Sequence, residues 1–413
     1  MIKKFLIVGL FIWTNSLLAQ SYFLLMPDRV FDGDSMYSGW QVLVRGNVIE
    51  SVGLNLQVPK NCQSVKLQGT TLMPGMIEGH SHILLHPYNE TSWSDQVMFE
   101  SEAERILRAS NHLKASLLAG ITSMRDLGTE GTGFSDVAIR RSIEKKLIIG
   151  PDLKVAGRAI VATGSYAPKS PVFDPPYGAE RADGNNVIKV VRDQIGHGVD
   201  VIKIYADFKW GPTDAAVPTF SIEEIKLMVE TAESAGSMVV AHATSKEGMR
   251  RAVMGGARTI EHGDEGDTEV FELMKKHHVA LCPTLAAGEA YLMYAGWKKG
   301  TDSIPEGIKN KIKSFGMALK SGVDIIFGGD VGVFSHGDNV RELILMQQYG
   351  MKNLDVIKCA TSGNADILNF KQKGRIRKGY LADIIACSGN PLESLKSLYD
   401  IQFVMKSGNI IKP

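Results

Sequence analysis

His80, His82, Lys203, His242, His262 and Asp330 are five metal-ligand side chains and one lysine, each at or near the end of a short apolar run. His80 and His82 sit two apart in the segment Gly75–His82. In a strand, residues i and i+2 share a face, so both imidazoles can reach one ion. Lys203 lies in Val199–Tyr205, His242 ends Met238–His242, His262 ends Thr259–His262, and Asp330 ends Val323–Asp330. Imidazole and carboxylate ligands without a thiolate suit zinc, with manganese, iron or cobalt as substitutes. Any one of these histidines, taken alone, reads as a satisfied core histidine. The ordered set does not.

A polar group closing a buried apolar strand is costly unless it is paired or bound to metal. A (β/α)8 barrel accounts for that placement, because its strands form a closed apolar core and its active site stands at their C-terminal ends. Through the middle of the chain strand and helix patterns alternate, which predicts a parallel sheet. Eight strands are expected, near 72–82, 120–126, 153–160, 199–205, 237–242, 257–262, 278–284 and 323–330. One helix is expected over 221–235: Ser221 and Glu224 form a capping box, Ile222, Ile225, Met228, Val229 and Ala232 share a face, and Gly236 stops it. The pattern predicts an α/β fold, a (β/α)8 TIM barrel. No Gly-x-Gly-x-x-Gly or Walker loop follows the first strand, so nucleotide binding finds no support.

The two ends have a different texture. From Gln20 to Thr70 short alternating segments are broken by turns, with Gly46-Asn47 as a hairpin signal. The same texture returns in 379–387 and 402–411. Two β-rich ends around one barrel predict a small composite β-sandwich from residues 20–73 and 374–413, with the barrel over 74–373.

The ordered set resembles the metal-dependent amidohydrolase superfamily. Its signature is His-x-His on the first barrel strand, Lys on the fourth, His on the fifth and sixth, and Asp on the eighth. Gly79–His82, Val239–His242 and Glu261–Gly263 carry the likeness, which spans nearly the whole chain after its N-terminus. Within the superfamily the chain is similar to the branch of imidazolonepropionase-like proteins and Xaa-Pro and other C-terminal dipeptidases. Imidazolonepropionases use one metal and lack the strand-four lysine; Lys203 places this chain with the two-metal, dipeptidase-like members. The resemblance implies one ion on His80, His82 and Asp330, a second on His242 and His262, and a CO2-derived carbamate on Lys203 bridging both. Val201, Ile202 and Ile204 and the nearby cations disfavour the charged amine, which leaves a neutral nitrogen able to add CO2. A salt bridge from Lys203 to an acid is the plainer alternative. Two dications sharing one water lower its pKa towards about 7. Asp330 is then the general base, and later the acid for the leaving amine.

Substrate recognition is expected from three further residues. Tyr205 follows Lys203 by two and shares its face, where it can bind a substrate carboxylate or an oxyanion. His336 lies in the loop after strand eight. Tyr166 ends Arg158–Tyr166 after strand three, where dipeptidase relatives carry a His in a Thr-Gly-Gly-His-type stretch; this chain has Ser165-Tyr166, which departs from dipeptide specificity. Rim packing is the plain alternative for each.

The 413 residues are 44% hydrophobic and 22% charged with a net charge of +1, an ordinary globular composition without a signature of nucleic-acid binding. Met1–Lys4 is basic, Phe5–Trp13 apolar, and Ala19 precedes Gln20, the layout of a signal peptide over 1–19. That predicts an exported protein, periplasmic or secreted, without a membrane anchor after signal removal. Cys62, Cys282, Cys359 and Cys387 allow two disulfides, but free buried thiols suit a domain of this size. The expected partner is a small-molecule substrate, and a homo-oligomer is left open. The leading expectation is an exported binuclear amidohydrolase acting on a dipeptide or N-acyl amino acid. A lactonase or cyclic-amide hydrolase, a deaminase and a non-catalytic metal-binding homologue are the rivals, in falling order.

Overall fold

The computed structural model describes residues 21–168, 178–210, 212 and 214–413. Residues 1–19, expected as a signal peptide, lie outside the described residues.

A ring of parallel segments forms the centre of the fold. Met76–Ser81, Ile121–Asp126 and Asp152–Val155 pair in that order. Ile160–Val161, Val201–Tyr205, Met238–Ala243, Thr259–His262 and Ala280–Cys282 continue it. The Asp200 amide donates to the Val155 carbonyl and joins the two sets. On the far side, residues 324–331 bridge Leu281 through Ile325 and Ser81 through Val331, so the ring closes. Helices cover its outside, among them Glu102–Leu118, Asn186–His197, Ile222–Glu233, Lys246–Gly255, Thr268–Lys276 and Glu306–Ser321. Their apolar faces and the outward strand residues share one core. This is the expected (β/α)8 barrel.

Local chemistry sets the helix ends. Ile222–Glu233 begins at Ser221, whose side chain accepts from the Glu224 amide while Glu224 accepts from the Ser221 amide. Such a cap contributes about 1 kcal/mol. Ile225, Met228, Val229 and Ala232 are its buried face. Gly198, Gly256 and Gly322 end three helices at positive φ (95°, 97° and 69°), a conformation that a Cβ disfavours.

Four strand limits differ from expectation. Leu72–Pro74 belong to the long strand Gln63–Pro74 of the terminal sheet, and the barrel strand starts only at Met76. The third strand is split into Asp152–Val155 and Ile160–Val161 around Gly157, at φ +65°. The seventh is short, Ala280–Cys282. The eighth, expected over 323–330, makes isolated bridges instead of a regular strand. Its Gly329 amide bonds the Glu78 side chain and Asp330 has φ +62°, so the backbone leaves the ladder to serve side chains.

Both ends of the chain contribute to one eight-stranded sheet. Its main path runs Asn409–Lys412, Ile401–Lys406, Ile384–Ser388, Gln63–Pro74, Tyr22–Phe31, Gln41–Arg45, Val48–Gly53. Val48 also bridges Leu381, so this sheet curls over its own core of Leu25, Val42, Leu72, Ile384 and Phe403. All four cysteines are unpaired; three are buried and Cys62 is half-buried. Among the described residues no helix is long and apolar enough to cross a membrane.

Candidate metal centre and active site

Four imidazoles form a continuous chain across the C-terminal mouth of the barrel. Ring centroids are 5.4 Å apart for His82–His80, 5.3 Å for His80–His262 and 4.4 Å for His262–His242. His80 Nε2 lies 3.5 Å and His82 Nε2 3.3 Å from Asp330 Oδ1. That oxygen is buried and has no hydrogen-bond partner. Ligands about 2.0–2.2 Å from one tetrahedral ion stand roughly 3.3–3.6 Å from each other, so the observed separations are those of a coordination shell. The donor set therefore fits a divalent ion. His242 and His262 stand beside this trio as a second pair. His262 Nδ1 meets Thr284 Oγ at 2.8 Å, and His242 Nε2 lies 3.7 Å from Asp207 Oδ1.

Lys203 is 1% exposed on the strand Val201–Tyr205. Among the described residues it has no hydrogen-bond or ion-pair partner; its Nζ sits 5.5 Å from the Tyr205 ring centre. Burial pulls its pKa below the usual lysine range, against the opposing charges of Glu261 and Asp330. Neither carboxylate comes within ion-pair distance of its nitrogen, so the salt bridge of the plainer alternative is not formed.

The metal-free electrostatics separate the two histidines of the pair. Burial, then the Lys203 charge, hold His80 down at about 4. Burial alone would lower His82 too, but the Asp330 carboxylate beside it prevails and pushes it up to about 9. Asp330 stays ionised: burial would raise it, and the charges of His80, His82 and Lys203 outweigh burial.

Several supporting groups were not anticipated. Glu261 Oε2 meets His80 Nδ1 at 3.0 Å, and Glu261 Oε1 accepts from Arg125 Nη2 at 2.9 Å. Arg125 also donates to the Gly79 carbonyl and to Thr259 Oγ. Glu78 accepts from the His80 and Gly329 amides and from Asn339 Nδ2, which pins the metal-binding segment to the eighth strand. The signal available was the presence of charged residues inside apolar strands; the partners that hold them across the barrel are up to 261 positions away. His262, Thr284 and Asp330 all take positive φ (80°, 46° and 62°). Strained backbone of this kind gathers at functional sites.

Of the expected substrate residues, the structure brings two to the mouth. The Tyr205 ring stacks on His242, with centroids 4.5 Å apart and planes 21° apart. Tyr166 packs 4.4 Å from Tyr205, 5.1 Å from Phe208 and 4.8 Å from Trp93. His336 is placed elsewhere. It lies flat on His112 at 4.2 Å and its Nε2 meets the Leu85 carbonyl at 3.2 Å, so it braces the loop behind His82.

This architecture agrees with the comparisons to known proteins. Residues 71–413 match the amidohydrolase family, and the chain belongs to it. Such proteins generally bind divalent metals. The chain is 30% identical to ochratoxinase of Aspergillus niger over 92% of its own length and 84% of that protein's. Among solved structures it is similar to a Xaa-Pro dipeptidase with bound methionine in the active site, with a TM-score of 0.83, 27% identity, and coverage of 95% of this chain and 100% of that one. A prolidase complexed with N-methylphosphonate-L-proline gives a TM-score of 0.82 with 27% identity and the same coverage.

Proposed function

We propose that the chain is an exported, binuclear amidohydrolase that cleaves an amide bond of a dipeptide or N-acyl amino acid. The observation that carries this reading is the convergence of His80 Nε2 and His82 Nε2 on the unpartnered Asp330 Oδ1. His80, His82 and Asp330 would hold one ion and His242 and His262 the other. Lys203, as its carbamate, would join them; its buried nitrogen, with Glu261 and Asp330 near it but beyond ion-pair distance, supports this. Zinc is the first choice of metal for such ligands. Bound there, divalent ions supply an acidified water and polarise a carbonyl.

The chain's own groups do the rest. Asp330, its carboxylate ionised despite burial, would take the proton of the attacking water and return it to the leaving amine nitrogen. Tyr205, stacked on His242, and Tyr166, packed on Tyr205, would form the wall against which one substituent of the amide rests. The names of the similar proteins, a dipeptidase, a prolidase and an ochratoxinase, support an amide rather than a lactone. Export rests on the basic and apolar segments of residues 1–19. The division into a terminal domain (20–73 with 374–413) and a barrel (74–373) belongs to the same proposal.

The test is a hydrolysis screen of the zinc- or manganese-loaded protein against dipeptides, N-acyl amino acids and lactones. Turnover confined to lactones would replace the amide reading. Metal binding with no turnover in any class would leave a non-catalytic homologue.

A further inference from the structure

Glu130 is a buried carboxylate that the chemistry above does not use. It follows the second barrel strand at φ +52°, a costly backbone for a glutamate, and is 1% exposed. One of its oxygens is occupied: Oε2 accepts from Tyr166 Oη at 2.7 Å and from Trp93 Nε1 at 2.9 Å. The other, Oε1, is buried and has no hydrogen-bond partner. His82 Nδ1 lies 3.7 Å from it, beyond hydrogen-bond reach, and is directed to the Gly128 carbonyl at 3.2 Å. The nearby buried cation is spent elsewhere, since Arg105 donates to the carbonyls of Leu84, Thr129 and Glu130 and not to the carboxylate. Two glycines make the room: a Cβ at Gly128 would sit 3.1 Å from Oε1, and one at Gly178 3.1 Å from Oε2.

A buried anion with a vacant lone pair is costly until a cation meets it. The location says which cation. A single imidazole ring, His82, separates Glu130 from Asp330 Oδ1. The Tyr88 hydroxyl is close enough to feel both carboxylates: burial first, then the charges of Asp330 and Glu130, hold it well above its usual range. The α-amino group of a peptide is two bonds from the carbonyl carbon under attack, so a carbonyl beside Asp330 carries its amine towards Glu130.

We propose that Glu130 Oε1 receives the free amino group of the substrate, so that the enzyme selects unblocked aminoacyl compounds over N-acylated ones. This deepens the amide-hydrolase reading and rests on it. A hydrogen bond between charged partners contributes about 1.5–3 kcal/mol, equivalent to a factor of about 10–100. The loaded wild-type enzyme should therefore show a kcat/KM ratio of dipeptide to N-acetylated dipeptide above about 10, and Glu130→Gln should lower that ratio by about 10–100-fold. The glutamine keeps an acceptor for Trp93 and Tyr166, and an unchanged melting temperature checks that it folds. If both substrates slow equally and the ratio holds, Glu130 only braces Tyr166 and His82, and the proposal falls. If neither substrate is cleaved, the amide-hydrolase reading fails separately, and calorimetry of L-leucinamide against its N-acetyl derivative still decides. Tighter binding of leucinamide that is lost in Glu130→Gln supports the amine site. Equal affinities, or no leucinamide binding, overturn it.

Discussion

His80 Nδ1 lies 3.0 Å from Glu261 Oε2, with both side chains fully buried. The carboxylate fixes the ring's tautomer: hydrogen on Nδ1 towards Glu261, lone pair on Nε2 towards Asp330. Glu261 sits immediately before His262, so one short strand orients one ligand and supplies another. Arg125 holds the carboxylate ionised, well below the usual range despite burial.

Glu261→Gln should weaken metal binding by about 10–100-fold, the usual effect of losing a carboxylate behind a ligating histidine. It also strips Arg125 of its counter-charge, which costs up to about 3–5 kcal/mol at full burial. Chelator competition and urea unfolding measure the two effects. Unchanged metal affinity would mean that Glu261 serves the barrel alone.

Asp330→Asn should keep the fold and lose turnover by about 10²–10⁴, because the amide cannot take a proton from water. Steady-state kinetics with metal content measured in parallel give the answer. Activity within a few-fold of wild type would move the proton transfer to another group.

Lys203→Ala should lose the second metal and activity, and propionate should partly restore both by supplying two oxygens in the vacated space. If Lys203 has only a structural role, the variant holds two metals and shows its defect in stability. Metal analysis and kcat with and without propionate separate the two accounts.

Glu342 offers a pH test in the metal-free protein. It accepts from the Leu285 and Ala286 amides, and burial pushes it up to about 8 from an ordinary 4.5. Between those values the native protein holds a proton that the unfolded chain has released. Stability of the metal-free protein should therefore fall as pH rises through this window, with buried Glu78, pushed up to about 7, adding to the slope. Urea unfolding from about pH 5 to about pH 9 should show the fall, and Glu342→Gln should flatten its upper part. A slope of the opposite sign would refute it.

Residues near strand ends were the most legible part of the sequence. Lys203, His242 and His262 each lie in an apolar run that does form a strand, because burial on both faces leaves a continuous apolar signature. The eighth segment kept that signature but lost its ladder: Gly328 runs so close to Cys282 and the His80 backbone that a Cβ would collide, and only the folded neighbours reveal this. Arg125, Glu261 and Glu78 were visible as charges in apolar strands, yet a charge shows no partner until the ring closes. Glu130 gave no signal, since its value comes from a left-handed backbone and from Trp93 and Tyr166, each more than 30 positions away. His336 stood on the expected loop, and its stacking on His112 depends on a helix more than 200 positions earlier.

The strand Gln63–Pro74 lies between Tyr22–Phe31 and Ile384–Ser388. During synthesis its first neighbour is available at once, while its second emerges only after the entire barrel. Until then Thr70–Pro74 present a bare hydrogen-bonding edge, the kind that pairs with other chains. Pairings so distant along the chain are slow to form, so the barrel can close before this sheet does. The last thirty or so residues thus act as a seal, and a chain cut before Ile384 would keep every proposed metal ligand and still be left with an open, adhesive edge.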